Sequence, residues 1–517
     1  MSRNWGCAWC TVSLRSKRVN NKSLYFSVAI VVGLSLACPA RSFDVAVWRG
    51  ETTAILVPDY AQLGEAPSGI GMRFGVLRPV KYAPDLESLQ RLECMDRVEW
   101  GSKAGRPHVV EVSVPSETKP GLYTCGAMNL HVVDRVLPPS REWWYFLDLW
   151  QHPWAVARYF NVKPFSKEHY AAMRPVYETL ATAGQKTLTI TLVDRPWNHQ
   201  CYDAYSSMIG RRKGADGKWS FDYSIFDQYV KFGRSCGLGP DIACYSMCPW
   251  GYMVDWKEWK AESEESKTGE WVERREKLPP GTPEFEDYWG PFLVDFSNHL
   301  KEMGWFNDVY IAMDERSLED VKTIGDFIRS QVPEMKIAMA GNSLPSKYGT
   351  KIDNFCMILG AGITDEYLAE AVARRKKGMK TTYYVCCGPP YPNTFMRSGP
   401  GEAFWLGVYP AMCGLDGFLR WAWNSWPQDP VVDADCQPWT AGDAFLVYPD
   451  GSPSWRFLEL RNGIVAAEKV RILKEQGLFA DDLAALAAKF KPVEASQGKC
   501  DFPAMRREVL SIVNKRQ

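Results

Sequence analysis

The chain has 517 residues, enough for two or three domains and a large buried core. Lysine plus arginine and aspartate plus glutamate both number 61, so the formal net charge is zero, which argues against a nucleic-acid binder that works by charge. Its 22 Trp, 23 Tyr and 23 Phe suit clefts where indoles stack on sugar rings, although most Trp in a large protein is core.

Residues 1–40 read as an export signal. Arg15, Lys17, Arg18 and Lys22 precede an apolar run from Leu24 to Ala37, and small residues follow at Ala37 and Ala40. The run is too short to favour a stable membrane span. A secreted or periplasmic protein is therefore expected. Cleavage after Ala37 would leave Cys38 first and open a lipid anchor as the alternative, against which Ser35 stands where a lipobox usually has Leu. Among the fifteen cysteines, Cys94 and Cys125 are candidates to bridge the first domain. Cys244-x3-Cys248 lacks a second pair or a nearby His, so no metal or other cofactor is expected.

Residues 43–137 carry short β-type runs: Phe43 to Trp48, Thr53 to Val57, Met72 to Val76, His108 to Val114, Gly121 to Asn129 and Leu130 to Val133. Turns such as Pro58-Asp59, Pro67-Ser68-Gly69 and Lys119-Pro120-Gly121 punctuate them, which predicts a β-sandwich. Pro138-Pro139-Ser140 reads as the linker.

From residue 141 to 478 strands alternate with helices. The strands are expected at Trp144 to Trp150, Leu188 to Leu192, Asp241 to Tyr245, Val309 to Met313, Lys336 to Ala340, Asn354 to Ile358, Thr381 to Cys386 and Gly417 to Trp421. Helices are expected over 167–183, 223–236, 283–303 and 318–331, with residues 253–282 as a polar insertion. Eight such units predict an α/β architecture, a (β/α)8 TIM-type barrel behind the N-terminal sandwich. A doubly wound sheet is the runner-up, weakened because no Gly-rich phosphate loop follows the first strand. Residues 479–517 read as a helical tail.

Strand four runs straight into Asp314 and Glu315. Loops after the strands of a parallel barrel form its functional face, so acids there read as catalytic. The plain alternative makes Asp314 the cap of the next helix and Glu315 a solvated first-turn acid. The other strand ends contribute Asp148 and His152, Asp194, Trp197 and His199, Asn342, Tyr383 and Tyr384, and then Arg420, Trp421, Trp423, Asn424 and Trp426. Carboxylates, amides, Arg and Trp at one rim suit a carbohydrate pocket. The bland readings are that the two His are satisfied polar residues, that Arg420 pairs with a core carboxylate, and that only one or two of the three Trp meet ligand.

Adjacent acids constrain the chemistry. Conventional glycosidases place two carboxyls about 5–5.5 Å or 6.5–9.5 Å apart, usually on separate strands. Neighbours on one strand point to opposite faces, so both reach one pocket only where the backbone bends past the strand end. They suit split roles. One acid holds an acetamido N–H while the substrate's own carbonyl attacks the anomeric carbon; the other, its pKa raised by its neighbour and by burial, protonates the leaving oxygen.

Three segments carry a family likeness: Trp143-Trp144-Tyr145 to His152-Pro153, the Asp314-Glu315 pair, and the closing runs Arg420 to Trp426, Ala441 to Pro449 and Arg456 to Gly463. Over about residues 140 to 475 the chain resembles glycoside hydrolase family 123. The resemblance implies a retaining, exo-acting β-N-acetylgalactosaminidase working through an oxazoline, with Asp314 orienting the acetamido group and Glu315 as general acid/base. It also implies a glycan or glycoconjugate as the partner. The chain departs from the pattern at Arg316, where many members carry Pro. Two other readings stay open: a non-catalytic carbohydrate-binding surface protein, and a conventional glycosidase using a distant carboxylate such as Asp194 or Asp148. The sequence carries no signal for an oligomeric state.

Overall fold

The computed structural model describes residues 42–57, 60, 63–102, 104–261 and 268–516. The expected export signal with Cys38, and the Pro58-Asp59 turn, lie outside them.

Seven strands come first: β1 (Phe43–Arg49), β2 (Thr52–Val57), β3 (Gly71–Tyr82), β4 (Leu92–Trp100), β5 (His108–Ser113), β6 (Gly121–Cys125) and β7 (Met128–Val136). They form two sheets, β1-β7-β6 and β2-β5-β3-β4. Val47, Met128, Leu130 and Val132 of the first sheet meet Val57, Val110 and Val112 of the second in one dry core, the sandwich expected from the alternating pattern. β4 escaped the sequence reading because Glu93, Asp96, Arg97 and Glu99 make it look like a solvated loop. Asp96 is nevertheless buried, gripped at 3.0 Å by both Nε and Nη2 of Arg456 and by the Tyr448 hydroxyl at 2.7 Å. Cys94 and Cys125 do not bridge: they stand on different sheets and both are free thiols.

The barrel strands are β8 (Phe146–Leu149), β9 (Thr187–Thr191), β12 (Asp241–Tyr245), β15 (Val309–Asp314), β16 (Lys336–Gly341), β17 (Asn354–Ile358), β18 (Lys380–Tyr384) and β19 (Gly417–Arg420). All pair in parallel in the order β8-β19-β18-β17-β16-β15-β12-β9. Their near-continuous apolar runs follow from burial on both faces. The seam between β8 and β9 is closed largely by side chains. Gln185 Oε1 accepts from Leu149 N–H at 3.0 Å while its Nε2 donates to the Thr187 carbonyl at 2.7 Å, and Gln151 Oε1 accepts from Thr189 N–H at 3.0 Å. Two amides thus stand in for missing ladder bonds. Gln185→Ala leaves buried backbone groups unpaired, so a loss of about 2–4 kcal/mol is expected in denaturant unfolding. An unchanged unfolding midpoint would show that the seam holds without it.

The helices include α1 (Pro153–Tyr159), α2 (Lys167–Ala181), α3 (Ser224–Ser235), α4 (Pro283–Glu302), α5 (Leu318–Gln331), α6 (Asp365–Arg375), α7 (Glu402–Cys413) and α8 (Trp455–Glu475). α7 and α8 nearly touch at Gly407 and Gly463, where an added Cβ on Gly463 would come within 2.2 Å of the Phe404 carbonyl. α8 carries the closing run Arg456 to Gly463, and this run packs: Asn462 Nδ2 donates to the Ala54 carbonyl at 2.8 Å, tying barrel to sandwich. The tail forms α9 (Ala480–Ala487), α10 (Pro492–Ser496) and α11 (Phe502–Val513). Trp48 Nε1 bonds the Val513 carbonyl at 2.9 Å, so the tail closes back on the sandwich.

The polar insertion at residues 253–282 supplies two of the four strands of a separate sheet. β10 (Gly210–Lys213), β11 (Trp219–Asp222), β13 (Met253–Ala261) and β14 (Gly269–Lys277) line up as β11-β10-β13-β14. Charged residues on its open faces hide its strands from a hydrophobicity reading. No helix among the described residues is long and apolar enough to cross a membrane.

Candidate active site

β15 delivers Asp314 as its last residue, and Glu315 follows with φ +47°. The left-handed backbone costs a β-carbon residue about 1–3 kcal/mol and occurs where structure holds it in place. Here the Glu315 N–H still bonds the Ala340 carbonyl of β16 at 2.9 Å while the chain turns. The turn breaks the two-residue alternation, as a shared pocket for adjacent acids requires. The helix-cap alternative fails, because Ser317 caps α5 and its side chain accepts from Asp320 N–H at 3.0 Å.

Glu315 Oε1 accepts a hydrogen bond from the Tyr384 hydroxyl at 2.6 Å. Tyr384 ends β18 and stays protonated, since burial and then the Glu315 charge push its phenol up. The hydroxyl fixes one carboxylate oxygen of Glu315. Tyr384→Phe is expected to lower kcat by about tenfold, the scale of one hydrogen bond to a charged group, at unchanged melting temperature. Equal kcat in the two proteins would remove Tyr384 from the positioning of Glu315.

Asp314 is half-buried, and its carboxyl is held well above the usual carboxylate range, first by burial and then by the Glu315 charge. Arg316 and the Trp250 indole pull it the other way. Arg316 donates from Nε to the Asp314 carbonyl at 2.8 Å and lays its guanidinium 4.0 Å from the centre of the Trp250 ring. It braces the turn.

The other expected site residues divide. Trp421, just past β19, is half-exposed beside Trp439, their rings 5.6 Å apart. Asn342 is exposed after β16. Trp197 is 4% exposed and stacks on Trp150 at 5.2 Å, forming floor more than wall. Tyr383 points away from the barrel interior, and its hydroxyl donates to the Leu406 carbonyl of α7 at 2.5 Å. Asp194 accepts from Ser207 N–H at 2.6 Å.

Five residues expected at the rim are buried instead. Arg420 is fully buried and paired with Asp443 at 2.7 Å, with Asn393 Oδ1 at 3.0 Å, so it offers no donor to a ligand. Trp423 and Asn424 are fully buried: Ser425 and Leu446 N–H bond the carbonyls of Ala444 and Trp423, and this pairing turns the segment inward. Asn424 instead clamps the backbone of His152 on both sides, at 2.9 and 3.0 Å. Trp426 is also fully buried. Asp148 is 4% exposed inside the barrel, its carboxyl pushed up to about 7 mainly by burial. A carboxyl in that position cannot flank a bond at the rim.

His152 is buried and its imidazole is pushed down to about 4 by burial, so it stays neutral and bonds the Trp421 carbonyl at 3.1 Å through Nε2. His199 is exposed on the loop after β9. The sequence reading missed Trp250 and the thiols Cys386 and Cys387, whose sulfurs lie 3.8 Å apart just past β18. Trp250 had a signal: an aromatic in a Pro-Trp-Gly turn directly past a strand.

An eight-stranded parallel barrel with an acid pair at the end of one strand and an exposed indole at the end of another has the layout of a sugar-processing enzyme. The family model described as glycoside hydrolase 123, catalytic domain, matches residues 150–473, and the chain belongs to this family of glycoside hydrolases. Among solved structures the chain is similar to a family 123 glycoside hydrolase from Clostridium perfringens, described for glycolipid glycan hydrolysis. That match has 23% identity and a TM-score of 0.76, covering 92% of this chain and 93% of the other. The Clostridium thermocellum endo-1,4-β-D-xylanase 10B aligns with 7% identity and a TM-score of 0.35 over 81% and 86% of the two chains. No curated protein matches the chain.

Proposed function

We propose that this hydrolase removes terminal β-linked N-acetylgalactosamine from the non-reducing end of a glycan or glycoconjugate, with retention and through an oxazoline. The observation that carries the reading is the left-handed backbone at Glu315, which breaks the alternation of side chains past β15 and so allows two neighbouring carboxylates to share a pocket, while Asp194 accepts from Ser207 and Asp148 is buried in the barrel. Ionised Asp314 accepts the acetamido N–H and steadies the positive charge as the acetamido oxygen attacks the anomeric carbon. Glu315, steered by Tyr384, gives its proton to the departing oxygen and then takes one from the water that opens the oxazoline. Trp421 offers its exposed face to the sugar ring. The preference for galactosamine follows the family resemblance, glycolipids are the candidate natural substrates by likeness to the clostridial enzyme, and export follows the N-terminal signal.

The test is a chromogenic series: a β-N-acetylgalactosaminide, its mono-, di- and trifluoroacetamido versions, and the plain β-galactoside. Turnover should fall steadily with fluorination, because the participating carbonyl becomes a poorer nucleophile. It should be negligible for the galactoside. Galactoside cleavage at a matching rate would assign a conventional mechanism instead, and no turnover of any 2-acetamido glycoside would leave only a binding role.

A further inference from the structure

The insertion sheet holds an aromatic cavity that the chemistry at Asp314 and Glu315 does not use. β10 and β11 lie between β9 and α3, and β13 and β14 between β12 and α4. Both insertions are thus strand-to-helix loops, and they belong to the same face of the barrel as the acid pair. The loop that carries Trp250 also leads into β13, and Leu278 N–H bonds the Tyr252 carbonyl at 2.9 Å to anchor the far end of the hairpin to it.

The cavity measures about 410 Å³, inside the range of about 300–1,000 Å³ typical of small-ligand sites. Trp219, Trp256 and Tyr288 line it, with ring centres 5.3–5.9 Å apart at steep mutual angles. Tyr288 is held from behind by the buried guanidinium of Arg211, 4.6 Å from its ring. The indole N–H groups of Trp219 and Trp256 are buried and have no hydrogen-bond partner among the described residues.

The polar lining sets the sign. Lys213 is neutralised by Asp287 at 2.7 Å, whereas exposed Glu276 and Glu284 have no ion-pair partner among the described residues. Aromatic faces with hydroxyl acceptors and surplus negative charge suit a sugar without carboxylate, sulfate or phosphate groups.

We propose that this cavity is a second glycan-binding site, separate from the catalytic pocket, that takes a neutral oligosaccharide. It would hold glycan-bearing material against the enzyme whatever the identity of the sugar that is cleaved.

The experiment is an array of neutral, sialylated and sulfated oligosaccharides exposed to the Glu315→Gln protein, which preserves the printed glycans, and to the same protein carrying Glu276→Lys with Glu284→Lys, or Trp256→Ala. Neutral glycans should be retained in preference to anionic ones. Trp256→Ala should weaken retention by roughly tenfold or more, the scale of losing an aromatic anchor. The double charge reversal changes only exposed side chains, so its fold is expected to hold, and it should shift retention toward anionic glycans. Melting curves for each protein separate loss of binding from loss of fold. Retention unaffected by the charge reversal would place binding elsewhere, in the catalytic pocket included, and overturn the proposal. So would retention of anionic glycans only by the parent, or of none. The readout is binding, so it stands or falls apart from the cleavage chemistry.

Discussion

Glu315→Gln is expected to lower kcat/KM by about 10²–10⁴-fold on a β-N-acetylgalactosaminide with a poor leaving group such as an alkyl alcohol, and hardly at all on the 2,4-dinitrophenyl glycoside. The contrast follows from the role assigned to the proton. An alkoxide cannot depart unprotonated, whereas dinitrophenolate needs no acid. Gln keeps the size of the side chain and a carbonyl oxygen that can still accept from Tyr384, so the pocket should survive. On the activated substrate kcat should nevertheless stay low, because opening the oxazoline needs the same residue as a base. Added azide, which attacks without giving up a proton, should restore kcat and yield the β-glycosyl azide. Steady-state kinetics over a set of leaving groups, with product analysis by NMR, checks all of this. A loss independent of the leaving group would take the acid/base role from Glu315.

Asp314→Asn should cost about 10²–10³-fold in kcat/KM, the scale of removing one preorganised electrostatic partner of a transition state. The same substitution should stabilise the fold at neutral and higher pH. Burial first, and then the Glu315 charge, raise the folded-state pKa of Asp314 above its unfolded value near 4. The sign follows. A raised folded pKa means that stability is fully present below the unfolded value and is lost as pH rises through the folded one. Asn does not ionise, so its melting temperature should exceed that of the wild type at pH 8 and the gap should close by pH 4. Catalysis needs Asp314 ionised and Glu315 protonated, one proton on the pair, so kcat/KM should fall on both sides of an optimum in the wild type and lose its acid limb in the variant. A variant that loses activity without gaining stability at pH 8 would contradict the half-buried, repelled carboxylate described above. Gain of stability with loss of activity is the usual signature of a site held at a cost to the fold.

The barrel strands were legible because each is buried on both faces and reads as a local apolar run. Val309 to Met313 running into Asp314 and Glu315 needs no distant information. β4 and the insertion sheet were not legible, since their hydrophobic residues alternate with charges whose partners are remote: Asp96 finds Arg456 only when α8 packs on the sandwich. Side-chain direction was the other blind spot. Arg420, Trp421, Trp423 and Asn424 lie within five positions, yet only Trp421 is even partly exposed: Arg420 ends a buried barrel strand, and pairing with residues 444–446 turns Trp423 and Asn424 inward.

The sequence by itself determined the order of the barrel strands, the place of the acid pair at a strand end and the family likeness, because these rest on patterns within a few residues. Tertiary structure alone decided which of the expected rim residues are buried, that Ser317 and not Asp314 caps α5, and that the Asp314 carboxyl is held above its ordinary range. It also decided that Tyr384, 69 positions from Glu315 in the chain, holds its carboxylate. Each of these depends on burial and on contacts between strands far apart in sequence, and neither exists until the barrel closes.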